Sequence, residues 1–201
     1  LSGVISTEGD QAYGIWNVGD GNKTTFSGSI STKGVLSVGV SNIGDSNEVN
    51  ASGAIVTEGF TGYGLVNQGD KNLTIFSGTI ETKGGTAYGF WNIGNTSLTT
   101  LSGSIVTKGA FSYGVYSNGF TNNTAVSGSI TTEGDDAHGI ASTGNENTIT
   151  VSGDITTAGV GSDGIIVTGN ENATTLSGTI ATTGNFSIGI NNTGNSNTTD
   201  V

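Results

Sequence analysis

The chain has 201 residues and a formal charge of −11, and more than half of it is Gly, Ser, Thr or Asn; Pro, Cys, Met and Arg do not occur. Without Cys there is no disulfide framework and no cysteine-ligated zinc or iron–sulfur site, and without an 18-residue apolar run no segment is expected to insert in a membrane. Five scattered lysines against 16 acids repel a phosphate backbone, which excludes nucleic acid as a partner.

The order of the residues separates a disordered Gly-rich chain from a repeat protein. Ser-Gly recurs from Ser2-Gly3 and Ser27-Gly28 to Ser177-Gly178, always 25 residues apart. Eight units beginning at positions 1, 26, 51, 76, 101, 126, 151 and 176 fill the chain without insertion or deletion, and Val201 opens a ninth. Aligned as columns, seven positions are invariant: Ser at 2, Gly at 3, Ile at 5, Thr at 7, and Gly at 9, 14 and 19. Column 22 is Asn in every unit but the fourth, which has Ser97.

Along each unit, columns 22, 24, 1, 3, 5 and 7 share one parity and carry the apolar and small residues. That alternation describes strands, since a helix needs an i, i+3, i+4 stripe. Gly at 9, 14 and 19 marks corners, by positive φ or by close backbone approach. A unit of two or three short strands cannot bury a face alone and must stack on its neighbours. The expected fold is all-β: a single parallel β-solenoid of eight coils, right-handed by the general preference of parallel crossovers and about 40 Å long.

Column 1 (Leu1, Phe26, Ala51 through Val201), Ile5 and its counterparts, and column 15 (Ile15 through Ile190) form the expected core. Thr7, Thr32 and Thr57 then stack as a hydroxyl ladder, and Asn22, Asn47 and Asn72 as an amide ladder, each amide placed to bond the next. Column 8 runs Glu8, Lys33, Glu58, Lys83, Lys108, Glu133, so opposite charges on most adjacent coils bias the stack against slipping.

Little in the chain points to chemistry. His138 is the one histidine, in the column that elsewhere holds Tyr13, Tyr63, Tyr88 and Tyr113, and it reads as a surface or turn residue. A glycan-cleaving β-helix needs converging carboxylates and irregular loops around a cleft; here every loop has the same length. Neither catalysis nor a cofactor or metal is expected. Asp20, Asp45 and Asp70 stand about 5 Å apart, a spacing open to a divalent cation. The same residues suit a tight turn, and the column drifts to Asn95, Phe120 and Asn145. Gly19–Thr24 lacks the Gly-Lys-Thr order of a phosphate loop, and the inward parity of the Thr7 column argues against an ice-binding row. Trp16, Trp91 and Tyr116 in column 16 point outward. They either stack on sugar rings or anchor a partner, or they cap a corner shared with the column-13 tyrosines. Nine Asn-x-Ser/Thr sequons, among them Asn50, Asn72, Asn122, Asn172 and Asn185, are open to glycosylation in a host that modifies secreted proteins.

The columns Ser-Gly-x-Ile-x-Thr-x-Gly, Gly-Ile and Gly-Asp-x-Asn, as in Ser127–Gly134, Gly139-Ile140 and Gly144–Asn147, resemble the repeats of bacterial autotransporter passengers and related surface adhesins. The resemblance spans all eight coils. It implies a right-handed β-helix stalk, exported and displayed on the cell surface, often for adhesion to a host-surface or neighbouring-cell glycan or protein. The family's signal peptide and C-terminal membrane barrel lie outside these residues, so a fragment or processed product is expected. The expected function is a non-catalytic, extracellular structural or adhesive rod. Phase supplies an alternative: Leu1 and Val201 share a column, so copies can stack head-to-tail into a filament. Leu1, Ile5 and Ile15 at one end, and Leu176, Ile180, Ile190 and Val201 at the other, would form that contact.

Overall fold

The computed structural model describes residues 2–201; Leu1, with its expected part in end-to-end stacking, lies outside the described residues. Each unit makes three strands. The first contributes β1 (Val4–Thr7), β2 (Tyr13–Val18) and β3 (Lys23–Phe26), and the eighth β22 (Thr179–Thr182), β23 (Ile190–Thr193) and β24 (Thr198–Asp200). The first, second and third strands of all units line up as three eight-stranded parallel sheets, so the chain is a β-solenoid of eight turns. No helix among the described residues is long and apolar enough to cross a membrane.

Register is uniform. Ile5 pairs with Ile30, Ile15 with Val40 and Phe26 with Ala51, each partner one unit away. A one-residue slip would turn every Ile of column 5 outward. The core is the space between the three sheets, filled by columns 1, 5 and 15: Phe26, Phe76, Phe90, Leu101 and the column-5 isoleucines from Ile30 to Ile155 are buried. Along column 1 the series Phe26, Ala51, Phe76 alternates large and small, so the two rings share the space above and below Ala51.

The corners work differently from a simple glycine turn. Of the three invariant corner glycines, only column 19 has positive φ, from 117° at Gly19 to 145° at Gly119. Columns 11 and 21 are also left-handed in every unit, and mostly hold residues other than glycine, among them Leu36, Thr61, Phe111, Lys71 and Glu146 (φ between 55° and 60°). These strained residues persist because the interstrand ladder runs on through the turns: Leu36 N–H donates to Phe60 O at 3.0 Å and Ser46 N–H to Asp70 O at 2.9 Å. The stack over-determines a backbone that the local sequence would not choose. Columns 3, 9 and 14 need glycine for proximity. A Cβ on Gly103 would lie 1.9 Å from Gly78 O, and one on Gly139 2.4 Å from Ile155 Cγ2.

Both polar columns lie inside, and their bonds differ from the simple ladders. The Thr57 hydroxyl donates within its own unit, to Gly62 O at 2.5 Å, and Thr82 to Ala87 O at 2.7 Å, pinning the chain as it leaves the first sheet. Thr7 and Thr32, in the same column, are stacked in register, but their hydroxyls are enclosed without a partner. The Asn column does bridge units, by amide to backbone. Asn22 N–H donates to Asn47 Oδ1 at 2.7 Å, Asn47 N–H to Asn72 Oδ1 at 2.8 Å, and Asn22 Nδ2 closes its own turn on Gly19 O at 2.9 Å. The sequon residues Asn72, Asn122 and Asn172 are therefore buried and engaged, whereas Asn50 and Asn185 are exposed. In column 8, Lys33 pairs with Glu8 (3.4 Å) and Lys83 with Glu58 (2.9 Å). Lys108, next to Lys83, reaches diagonally to Glu81 (2.6 Å).

Candidate functional site

The outer face of the second sheet carries columns 16 and 18, with column 13 along its leading edge. Strand alternation places these side chains outward because columns 15 and 17 point to the core. In the third to sixth coils column 13 forms a continuous ring stack: Tyr63 to Tyr88 at 5.4 Å, Tyr88 to Tyr113 at 5.0 Å and Tyr113 to His138 at 5.0 Å between centroids. Column 16 lies against it. Trp91 stacks on Tyr116 at 6.2 Å and 17°, and Tyr116 meets Tyr113 and Tyr88 edge-to-face at 5.7 and 5.4 Å. Trp91 also touches Tyr63 (4.9 Å) and Tyr88 (5.5 Å), and its indole N–H is enclosed without a hydrogen-bond partner. Ring pairs of this kind contribute about 0.5–1.5 kcal/mol each beyond area burial. Trp91 and Tyr116 thus both pack at the corner and remain partly exposed. Trp16 stands apart, stacked on Tyr13 at 5.2 Å and 63% exposed, because Val38 and Ser41 interrupt both rows in the second coil.

Burial raises the phenol pKa values of Tyr63 and Tyr113, and it pushes Tyr88 to about 12, with the neighbouring tyrosines adding to the effect. His138, which sequence alone placed as an incidental surface or turn residue, lies between strands and is half-buried at the end of the stack. Burial lowers its pKa, against the smaller opposing pull of Asp163 and Asp136. The neutral imidazole accepts the Asp163 N–H through Nδ1 at 2.9 Å, so Nε2 keeps the proton. Asp163 is itself engaged, Oδ1 by Ile188 N–H at 2.8 Å and Oδ2 by Asn191 Nδ2 at 3.0 Å.

Both aromatic rows stop beyond Tyr116 and His138. Tyr116 pairs in register with Ala141, and Ala141 with Ile166. The drop from ring to methyl opens a hollow of about 180 Å³ lined by Tyr116, His138, Ala141, Ser142, Thr143, Ile166 and Thr168 together with Tyr88 and Tyr113. A larger hollow of about 530 Å³ runs along the Ser-Gly corners of the first four coils. It is a shallow groove over the column-3 glycines, with no aromatic or charged group in its lining. The smaller hollow is lined by aromatic rings, hydroxyls and an imidazole.

The structure also places the remaining sequence candidates. Asp20 Oδ1 accepts Asp45 N–H, Asp45 Oδ1 accepts Asp70 N–H and Asp70 Oδ1 accepts Asn95 N–H, each at 2.8 Å, so the carboxylates serve the turn ladder. Ile5, Ile15, Ile180 and Ile190 are half-buried against the core, Leu176 is buried and Val201 is exposed. Sequence reasoning also missed column 17, where Asn42, Asn67 and Asn92 are buried. Asn17 Nδ2 reaches Asn42 Oδ1 at 2.8 Å, and Asn67 Nδ2 donates to Thr74 Oγ1. The recurrence of Asn at this position in the first four units was the signal.

Comparison with protein-family models, with curated proteins and with solved structures finds no match to this chain.

Proposed function

We propose that the chain is a stretch of a non-catalytic, extracellular rod held at a cell surface, adhering through the outer face of its second sheet. The observation that carries this reading is the run of rings from Tyr63 to His138, with Trp91 and Tyr116 part-exposed beside it, on a solenoid whose turns are otherwise of equal length. Equal turns raise no walls around a cleft, which favours contact over catalysis. The resemblance of the Ser-Gly-x-Ile repeats to autotransporter passengers favours display outside the cell. A straight face repeats weak contacts along its length, and such contacts multiply when several engage at once.

The test is attachment of beads densely coated with the protein to host epithelial cells and to neighbouring bacterial cells. Replacing Trp16, Trp91 and Tyr116 together by Ser is expected to reduce attachment at least about tenfold, the equivalent of 1.4 kcal/mol. Replacing the outward Val56, Glu81 and Val106 of the first sheet by Ser is expected to leave it unchanged. Equal losses from both faces, or no attachment of the parent protein, would reject the reading.

Matching columns favour a second reading, in which copies stack head-to-tail. Ile5 and Ile180, and Ile15 and Ile190, occupy equivalent half-covered positions at opposite ends of the described rod. Continuous fibres in negative-stain electron microscopy would support it, and separate short rods at all concentrations would sink it.

A further inference from the structure

We infer that the hollow beyond Tyr116 binds one neutral pyranose ring of a glycan, with the ring's C–H face against the phenol and its hydroxyls against the rim. This rests on the adhesive reading and names its ligand.

Within the aromatic run, the column-13 rings lie one behind another, with centroids 5.0–5.4 Å apart. Stacked rings spend their faces on each other and offer a partner only edges. Tyr116 is different. Trp91 covers one face at 6.2 Å and 17°, but the next residue in that row is Ala141, too short to cover the other. The second face therefore looks along the rod into the hollow. The column-13 stack walls one side, Ala141 is the floor, Ile166 closes the far end, and Thr143 and Thr168 stand exposed on the opposite rim.

Size and polarity choose among ligands. At about 180 Å³ the space falls below the roughly 300–1,000 Å³ of sites for drug-sized ligands and cofactors, so it admits no more than a single ring. The polar groups of the lining are hydroxyls, those of Thr143 and Thr168 on the rim with Ser142 and the phenols of Tyr88, Tyr113 and Tyr116, which both donate and accept, and the His138 Nε2–H, since Nδ1 is held by Asp163 N–H at 2.9 Å. Such a set matches alternating hydroxyls on a sugar. It contains no cation: the five lysines are Lys23, Lys33, Lys71, Lys83 and Lys108, and none lines the hollow. On a chain of charge −11 that leaves nothing to hold a carboxylate or phosphate. A planar aromatic side chain would leave the rim hydroxyls unused, whereas a pyranose has an apolar face for Tyr116 and a polar edge for the rim.

The experiment is saturation-transfer NMR on the intact 201-residue protein with methyl glycosides of glucose, galactose, mannose and N-acetylglucosamine. Two variants fill the hollow, Ala141→Tyr and Ile166→Tyr. Column 16 already carries Trp91 and Tyr116, so either substitution is compatible with the coil, and far-ultraviolet circular dichroism checks that each folds. The expected result is transfer from at least one glycoside, reduced at least tenfold in both variants. Absence of transfer from all four, transfer that survives both substitutions, or binding of an aromatic peptide in place of the sugars would overturn the inference. The same variants on beads separate the two readings. Attachment that persists in Ala141→Tyr leaves the adhesive rod standing without the sugar site, and failure of the parent to attach removes both.

Discussion

Asn147 holds Asn122 and the turn before it from one coil away: its Oδ1 accepts the Asn122 N–H at 2.9 Å while its Nδ2 donates to Gly119 O, also at 2.9 Å. One carboxamide thus satisfies a donor and an acceptor of the preceding unit, at a corner where the backbone ladder changes direction. The side chain is buried, so water cannot substitute for it.

Truncation at this position should expose that dependence. Asn147→Ala orphans one buried N–H and one carbonyl, at about 1–3 kcal/mol for each unsatisfied group. A fall of about 2–4 kcal/mol in urea-unfolding free energy is expected. A loss below about 1 kcal/mol would show that the turn closes without the amide.

The fourth unit offers the reverse experiment. There Asn72 N–H reaches only Ser97 Oγ, at 3.3 Å, against 2.8 Å for Asn47 N–H to Asn72 Oδ1. Ser97→Asn should restore the shorter bond and add about 0.5–1.5 kcal/mol, read as a higher urea midpoint. An unchanged or lower midpoint would count against the bridging role.

How far these relations can be read from the bare chain depends on which interactions leave a residue signature. The period, the inward parity and the core columns are plain because burial of Ile5 or Ile15 tolerates only apolar side chains. The amide column is plain because a short carboxamide supplies both bonds that Asn147 makes. The left-handed turns are invisible: Leu36, Thr61 and Phe111 carry no preference for positive φ, and the hydrogen bonds that hold them there come from the next coil. The hydroxyl of Thr57 illustrates the same limit, since stacking predicts its neighbours but not that it bonds Gly62 five residues on. The hollow beside Tyr116 could not be located either. A short side chain one coil further along the row creates it, and only the pairing of Tyr116 with Ala141 makes Ala141 a floor rather than one more small residue.

His138 makes stability depend on pH in one window. Burial holds its folded pKa below the usual 6.5, so the folded chain resists a proton that the unfolded chain accepts. The contribution is complete above about pH 6.5 and is lost as the pH falls from there toward the folded pKa, below which the loss levels off. Protonation of Nδ1 also removes the acceptor for Asp163 N–H. The groups facing the imidazole are Tyr113, Asp136 and Asp163; the two carboxylates limit the shift without reversing it. Between about pH 7.5 and about 5.5, Tm should fall more in the parent than in His138→Tyr, which restores the residue of the neighbouring coils. Parallel Tm curves for the two proteins would refute the burial argument.

Glycine in column 3 should respond to substitution according to what lies behind it. In Gly103→Ala the new Cβ would sit 1.9 Å from Gly78 O, and neither backbone can move without breaking the register. A loss above about 3 kcal/mol, or failure to fold, is expected. Gly3→Ala meets nothing within 4 Å and should change stability by less than about 0.5 kcal/mol. If copies stack end to end in the same register, that silent substitution should also stop fibres from growing. Comparable thermal midpoints for the two variants would show that the column tolerates a wider spacing than the described stack.

Equal turns have a mechanical consequence. Each coil is bonded only to its neighbours, so tension applied to one end peels units in sequence. Every unit that yields releases 25 residues, about 80 Å of extended chain, and no step is longer than another because no unit carries extra residues. Pulled from its two ends, the solenoid would lengthen in even increments and shed load by turns.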